Sequence, residues 1–236
     1  MGYYDRDAIN PSTAIGAFSS RVYGWMSIGL GFTATIAYFV YASGLYMSLM
    51  PFWWVWAFGT FGVAMAMNVG VNRFSIPAVA GLFMLYAGLE GILFGTILPV
   101  FAASYGGQVI WSAFATGSVV FLTAMLYGMF TKSDLTGIGK ILTVALIGLI
   151  GVSLVFMVLS FFFSMGWADL LISYLGLIIF VGLTAYDAQT IRSFSMQADI
   201  RSVASYKLSL IMALKMYINV IMIFWYLLRI FSSNRK

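Results

Sequence analysis

Apolar residues run along this chain in seven stretches of membrane-spanning length, separated by short polar breaks. They cover approximately Val22–Leu45, Phe52–Val71, Ile76–Phe101, Val109–Phe130, Ile141–Phe163, Asp169–Ile191 and Lys207–Phe231. A hydrocarbon core of about 30 Å needs about 20 mostly apolar residues in a helix. Backbone amides find no water there, so each stretch must satisfy its own hydrogen bonds as a helix. The pattern therefore predicts an all-α integral membrane protein, a bundle of seven transmembrane helices with short connections. Residues 1–20, "MGYYDRDAINPSTAIGAFSS", read as a polar cytoplasmic tail, and residues 21–236 as one seven-helix domain without an internal repeat. The tail lacks the basic, apolar and cleavage regions of a signal peptide, so the first span is expected to stay as an anchor.

Composition sharpens this picture by exclusion. The chain is 62% hydrophobic and only 8% charged, where a soluble domain carries roughly 25% charged residues. It has no Cys and no His, which removes disulfides, thiolate nucleophiles, the usual zinc ligands and the usual proton shuttle. No metal centre, cofactor or nucleophile–base pair is expected, and the chain does not read as an enzyme. Its net charge of +5 is dispersed between apolar segments, so it gives no nucleic-acid surface. The partner that composition implies is the lipid bilayer.

The same basic residues set an orientation. Arg6 and Arg21 lie in or beside the tail, Arg73 in the second loop, Lys132 and Lys140 in the fourth, and Arg192, Arg201 and Lys207 around the sixth. The first, third and fifth loops have no Lys or Arg. By the positive-inside rule the tail and the even loops face the cytoplasm. Seven crossings then leave Arg229, Arg235 and Lys236 on the outer side. The earlier loops are expected to outvote them; a re-entrant last segment is the alternative.

Few ionisable groups fall inside the spans, and each is costly there unless it faces the bundle interior with a partner. Glu90 stands mid-span in "YAGLEGILFGT", a candidate for an ion path; Gly91 and Gly95 beside it have the spacing of close helix packing. Asp187 stands in "VGLTAYDAQTIR", near the cytoplasmic end of the sixth span. Lys215 and Asn219 share one face of the last span, at i and i+4. Counting 1.5 Å per residue puts Asp187 about 10 Å and Lys215 about 12 Å from the cytoplasmic ends of their helices. That match in depth predicts an Asp187–Lys215 ion pair, with Asn219 and Arg73 as further hydrogen-bond partners. The plainer alternative leaves Asp187 as an interfacial charge beside Arg192 and lets Lys215 snorkel to the headgroups.

These residues also carry a resemblance. "GLTAYDAQ", Gly182 to Gln189, resembles the characteristic motif of the Bax inhibitor family in its bacterial branch. "RVYGWMSIGLGFTA", "LFMLYAGLEG", "TKSDLTGIGKILTVALIGLI" and the "LLRI" ending of the last helix support it. The resemblance extends over nearly the whole chain from Arg21. It implies a bacterial inner-membrane protein with a central last helix surrounded by the other six. It also implies a pH-sensitive calcium leak controlled by two aspartates, on the sixth and seventh helices, that share a proton and engage an arginine near the end of the second. Asp187 and Arg73 match two of those three positions. The second acid is replaced: where the family reads Tyr-Leu-Asp, this chain reads Tyr217-Ile218-Asn219. An Asp–Asn pair lacks the repulsion between two carboxylates. A weaker pH response, or one displaced to lower pH, is therefore expected, with calcium or protons as the ions concerned. Some bacterial relatives are linked instead to a membrane-anchored ATP-dependent protease, for which the polar tail would be the handle.

Overall fold

The computed structural model describes residues 11–159, 166–197 and 202–233. Its helices are α1 (Pro11–Ala42), α2 (Tyr46–Leu49), a 3-10 turn (Met50–Phe52), α3 (Trp53–Gly70), α4 (Ile76–Tyr105), α5 (Gly107–Phe130), α6 (Thr136–Leu159), α7 (Gly166–Gln197) and α8 (Val203–Ser233). Seven units, with α2, the 3-10 turn and α3 counted as one, are long and apolar enough to cross a membrane. All seven apolar stretches are therefore helical where described, apart from the turns at 43–45 and Val71.

The ends differ from the sequence expectation for physical reasons. α1 begins at Pro11 because Phe18, Val22 and Met26, four residues apart, are buried on one face, so core packing extends the helix past the apolar stretch. Residues 1–10 of the polar tail lie outside the described residues, as do Arg201, Arg235 and Lys236. The α4–α5 connection is a single residue, Gly106, at φ 86°. That backbone conformation suits a residue without a Cβ and lets two long helices reverse abruptly.

α8 occupies the centre. Between Ser205 and Leu228 every residue of it is buried or half-buried except Lys215. It packs against α1, α4, α5 and α7. The surround is uneven: α3 rests chiefly on α4 and touches α8 lightly, and α6 rests chiefly on α7. α8 is unbroken over 31 residues, about 46 Å at 1.5 Å per residue, long enough to cross the hydrocarbon core.

Apolar side chains alone give helices no reason to associate in lipid, so close backbone approach has to supply the packing. Glycines provide it at the principal seams. A Cβ on Gly91 or Gly95 would run into Ile36 or Val40 of α1, each at 2.7 Å. A Cβ on Gly128 of α5 would collide with the carbonyl of Ala185 on α7, and one on Gly139 of α6 with the ring of Tyr186. Close to the start of α8 the Arg21 guanidinium lies 4.5 Å over the Tyr206 ring, joining α1 to α8.

Gly128→Ala should therefore destabilise the protein by roughly 1–3 kcal/mol, the usual cost of overpacking. Gly148→Ala, where nothing lies within 4 Å of the new methyl, should leave stability unchanged or slightly raised. Thermal unfolding of the two variants in detergent checks the difference.

Candidate functional site at the α7–α8 seam

The stretch around Asp187 is the most enclosed part of α7: from Ile179 to Ile191 no residue is exposed. Each position of "GLTAYDAQ" meets a different neighbour because a helix turns successive side chains by about 100°. Gly182 leaves room for Leu142 of α6, Ala185 presses on Gly128 of α5, and Tyr186 covers Gly139 of α6. Asp187 turns inward to α8.

There Asn219 Nδ2 donates to Asp187 Oδ2 at 2.8 Å. Asp187 is 9% exposed and Asn219 3%. A buried carboxylate without hydrogen bonds is strongly disfavoured, and this bond joins two helices that are 32 residues apart in sequence at this point. With the carboxylate ionised the bond is charge-assisted, the stronger class of hydrogen bond.

Two residues beyond Asp187, Gln189 fixes the segment between α5 and α6. Its Oε1 accepts from the Leu135 amide at 2.8 Å, and its Nε2 donates to the Ser133 carbonyl at 2.7 Å. Arg192 Nη1 donates to the carbonyl of Met129 at 2.9 Å, at the end of α5. Asp134 in that segment accepts from the Thr136 amide at 2.9 Å. Hydrogen bonding to Thr136 holds the Asp134 carboxyl below its ordinary range, so it is charged at neutral pH. One end of α7 thus carries a buried acid and, two residues later, a two-sided clamp on the neighbouring connection.

A second polar group lies between α4, α8 and α1. Glu90 is 6% exposed; its Oε1 accepts from the Tyr86 hydroxyl at 3.2 Å, and its Oε2 is buried without a partner among the described residues. The Tyr86 ring meets that of Tyr217 edge-on, with centroids 5.6 Å apart. The Tyr217 hydroxyl bonds Thr33 Oγ1 at 2.6 Å, and Thr33 shares its one proton between the carbonyls of Gly29 and Ala87, each at 2.9 Å. Tyr217 and Asn219, two apart on α8, therefore serve the two polar groups separately.

Two of the site residues expected from sequence meet, and two do not join them. Asp187 and Asn219 are hydrogen-bonded. Lys215 forms no ion pair with Asp187; its side chain is exposed, close enough for its charge to act on Asp187 but not to touch it. The depth count assumed that both helices start at one level, whereas the level of Asp187 falls one turn further along α8, at Asn219. Arg73 lies exposed in the turn between α3 and α4, and among the described residues it makes no hydrogen bond to Asp187. Glu90 is buried as expected, but on a different side of α8. Sequence reasoning missed Gln189, Tyr86, Tyr217 and Thr33. The i, i+4 spacing of Tyr86 and Glu90 was the available signal for one of these.

The sequence model of the family described as "Inhibitor of apoptosis-promoting Bax1" matches residues 16–236. The chain belongs to the Bax inhibitor family. Within it, an uncharacterized protein of Chlamydia muridarum is 54% identical over 236 residues, covering 100% of this chain and 99% of that protein. The inner membrane protein YbhL of Escherichia coli K12 is 34% identical over 235 residues, 96% of each chain. A Borreliella burgdorferi protein is 32% identical over 229 residues, 93% of each chain. The seven-helix fold, integral membrane character and family are thus established together.

If the Asp187–Asn219 bond holds α7 to α8, Asn219→Leu should cost about 1.5–3 kcal/mol, the worth of a hydrogen bond to a charged group. Asp187→Leu combined with Asn219→Leu should cost less than the two single changes added together, because neither partner is then stranded. Equilibrium unfolding of the four proteins in one detergent gives that coupling energy.

Proposed function

We propose that the chain is a cation leak protein of the bacterial inner membrane, passing calcium among other cations, with protonation of Asp187 as its control. The observation that carries this reading is the Asp187–Asn219 bond across the central helix. Protonation converts a charge-assisted bond of about 1.5–3 kcal/mol into a neutral one of about 0.5–1.5 kcal/mol. Taken alone, that loss of near 1 kcal/mol favours separation of α7 from α8 by about fivefold, while the relief of a buried charge on protonation works in the opposite direction and sets that figure as an upper bound. That is a modest pH response, in keeping with one carboxylate at this seam.

Glu90, with one oxygen unpartnered inside the bundle, supplies a second carboxylate through which a cation could pass. Permeation needs only transient coordination, so a dedicated multi-carboxylate cage is unnecessary. The N-terminus is cytoplasmic in this reading. Arg73, Lys132 and Arg192 lie at one end of the bundle, and Arg229 at the other, where Asp169 pairs with it at 3.0 Å and offsets its charge. That pairing supports the earlier loops as the deciding topology signal. YbhL is an inner membrane protein, which supports the compartment.

Calcium flux into proteoliposomes, measured from pH 8 to pH 5, tests the proposal. The native chain should leak more as pH falls, by up to about fivefold. Asp187→Asn, fixed in the neutral state, should leak at the acid level and keep only the pH dependence that Glu90 contributes. Asn219→Asp should steepen the response by adding a second titrating group. A pH response of native size in Asp187→Asn would refute control at this residue.

A further inference from the structure

A recess of about 390 Å³ opens between the α5–α6 connection and the last turns of α7. Its charged walls are Lys132, Asp134 and Arg192, and Ser133, Thr136 and Ser193 add polar groups. Lys132 and Arg192 against Asp134 leave one net positive charge. Lys132 is exposed, and Arg192 engages backbone carbonyls through Nη1. Lys140, one turn into α6, acts on Asp134 and adds further positive charge nearby.

The setting of this recess identifies what it would hold. It lies where α5 ends and α6 begins, at the ends of two apolar stretches long enough to cross a membrane. The adjoining surface is apolar and outward-facing: Phe130, Ile138 and Ile141 are 73%, 54% and 69% exposed. A cationic, hydroxyl-rich cup directly above an apolar wall matches a phospholipid, its phosphodiester in the cup and its chains along the wall. Excess positive charge at a membrane surface favours an anionic lipid over a zwitterionic one. We propose that this recess binds the headgroup of an anionic phospholipid. A lipid seated there would touch the same connection that Gln189 and Arg192 clamp to α7, so lipid composition would act on the end of the helix that carries Asp187.

The test is native mass spectrometry of the full-length protein in detergent, titrated separately with phosphatidylglycerol and phosphatidylcholine. Phosphatidylglycerol should bind more tightly. Lys132→Gln should weaken it about fivefold, the worth of one basic residue near an anionic surface. Asp134→Asn, which keeps an oxygen for the Thr136 amide, should strengthen it. Arg73→Gln, on the same membrane face but outside the recess, should leave it unchanged. These side chains are exposed, and equal unfolding temperatures in phosphatidylcholine would show that the variants fold alike. Equal affinity for the two lipids, or a loss in Arg73→Gln equal to that in Lys132→Gln, would overturn the site. So would displacement of phosphatidylglycerol by millimolar inorganic phosphate, which would make the recess a free-anion site.

Discussion

A carboxylate withdrawn from water must find its hydrogen bonds in the protein, and Asp187 finds one on the helix at the centre of the bundle. The Asn219 bond sets how far α7 can move relative to α8 and at what level the two helices meet. The level matters because every other contact of "GLTAYDAQ" is keyed to it. Shifting α7 by one turn would bring Ala185 off Gly128, Tyr186 off Gly139 and Gln189 away from the 131–135 connection. One polar bond thus fixes a seam that apolar packing in lipid would leave free to slide.

The two polar groups of the core have different characters. Asp187–Asn219 is a matched donor and acceptor between two long helices, close to one end of the bundle. The Glu90 group spreads over α4, α8 and α1 through two tyrosines and a threonine, and leaves one carboxylate oxygen unmatched. Buried polar groups are held in place by the cost of leaving them unsatisfied. A bundle with one satisfied acid and one half-satisfied acid has a fixed point and a soft point. α8 contacts both, through Asn219 and Tyr217, and is the element through which a change at one could reach the other.

The fold was largely legible in the sequence because hydrocarbon thickness imposes one length on every span, and this chain carries few charges to blur the pattern. The Gly91–Gly95 spacing correctly indicated close packing, since only glycine admits α1 at that distance. What the pattern could not give was register. Asp187 and Lys215 looked level from their helix ends, but the helices begin at different heights, and the intended partner became Asn219. Arg73 matched the family's arginine position in the alignment of motifs, yet sequence carries no information on which way a turn residue points. Gln189 sat in plain view beside Asp187; its role depends on a loop more than 50 residues earlier, and no local spacing encodes that.

The central claim is a distance inside the membrane, and it can be measured there. Solid-state NMR dipolar recoupling on the lipid-reconstituted protein, with 13C at Asp187 Cγ and 15N at Asn219 Nδ2, reads that distance without altering either residue. A direct hydrogen bond predicts strong dephasing from a separation under about 4 Å. Absence of recoupling at neutral pH, with the protein folded, would mean that Asp187 is held by something other than α8, and the account of this seam would fail.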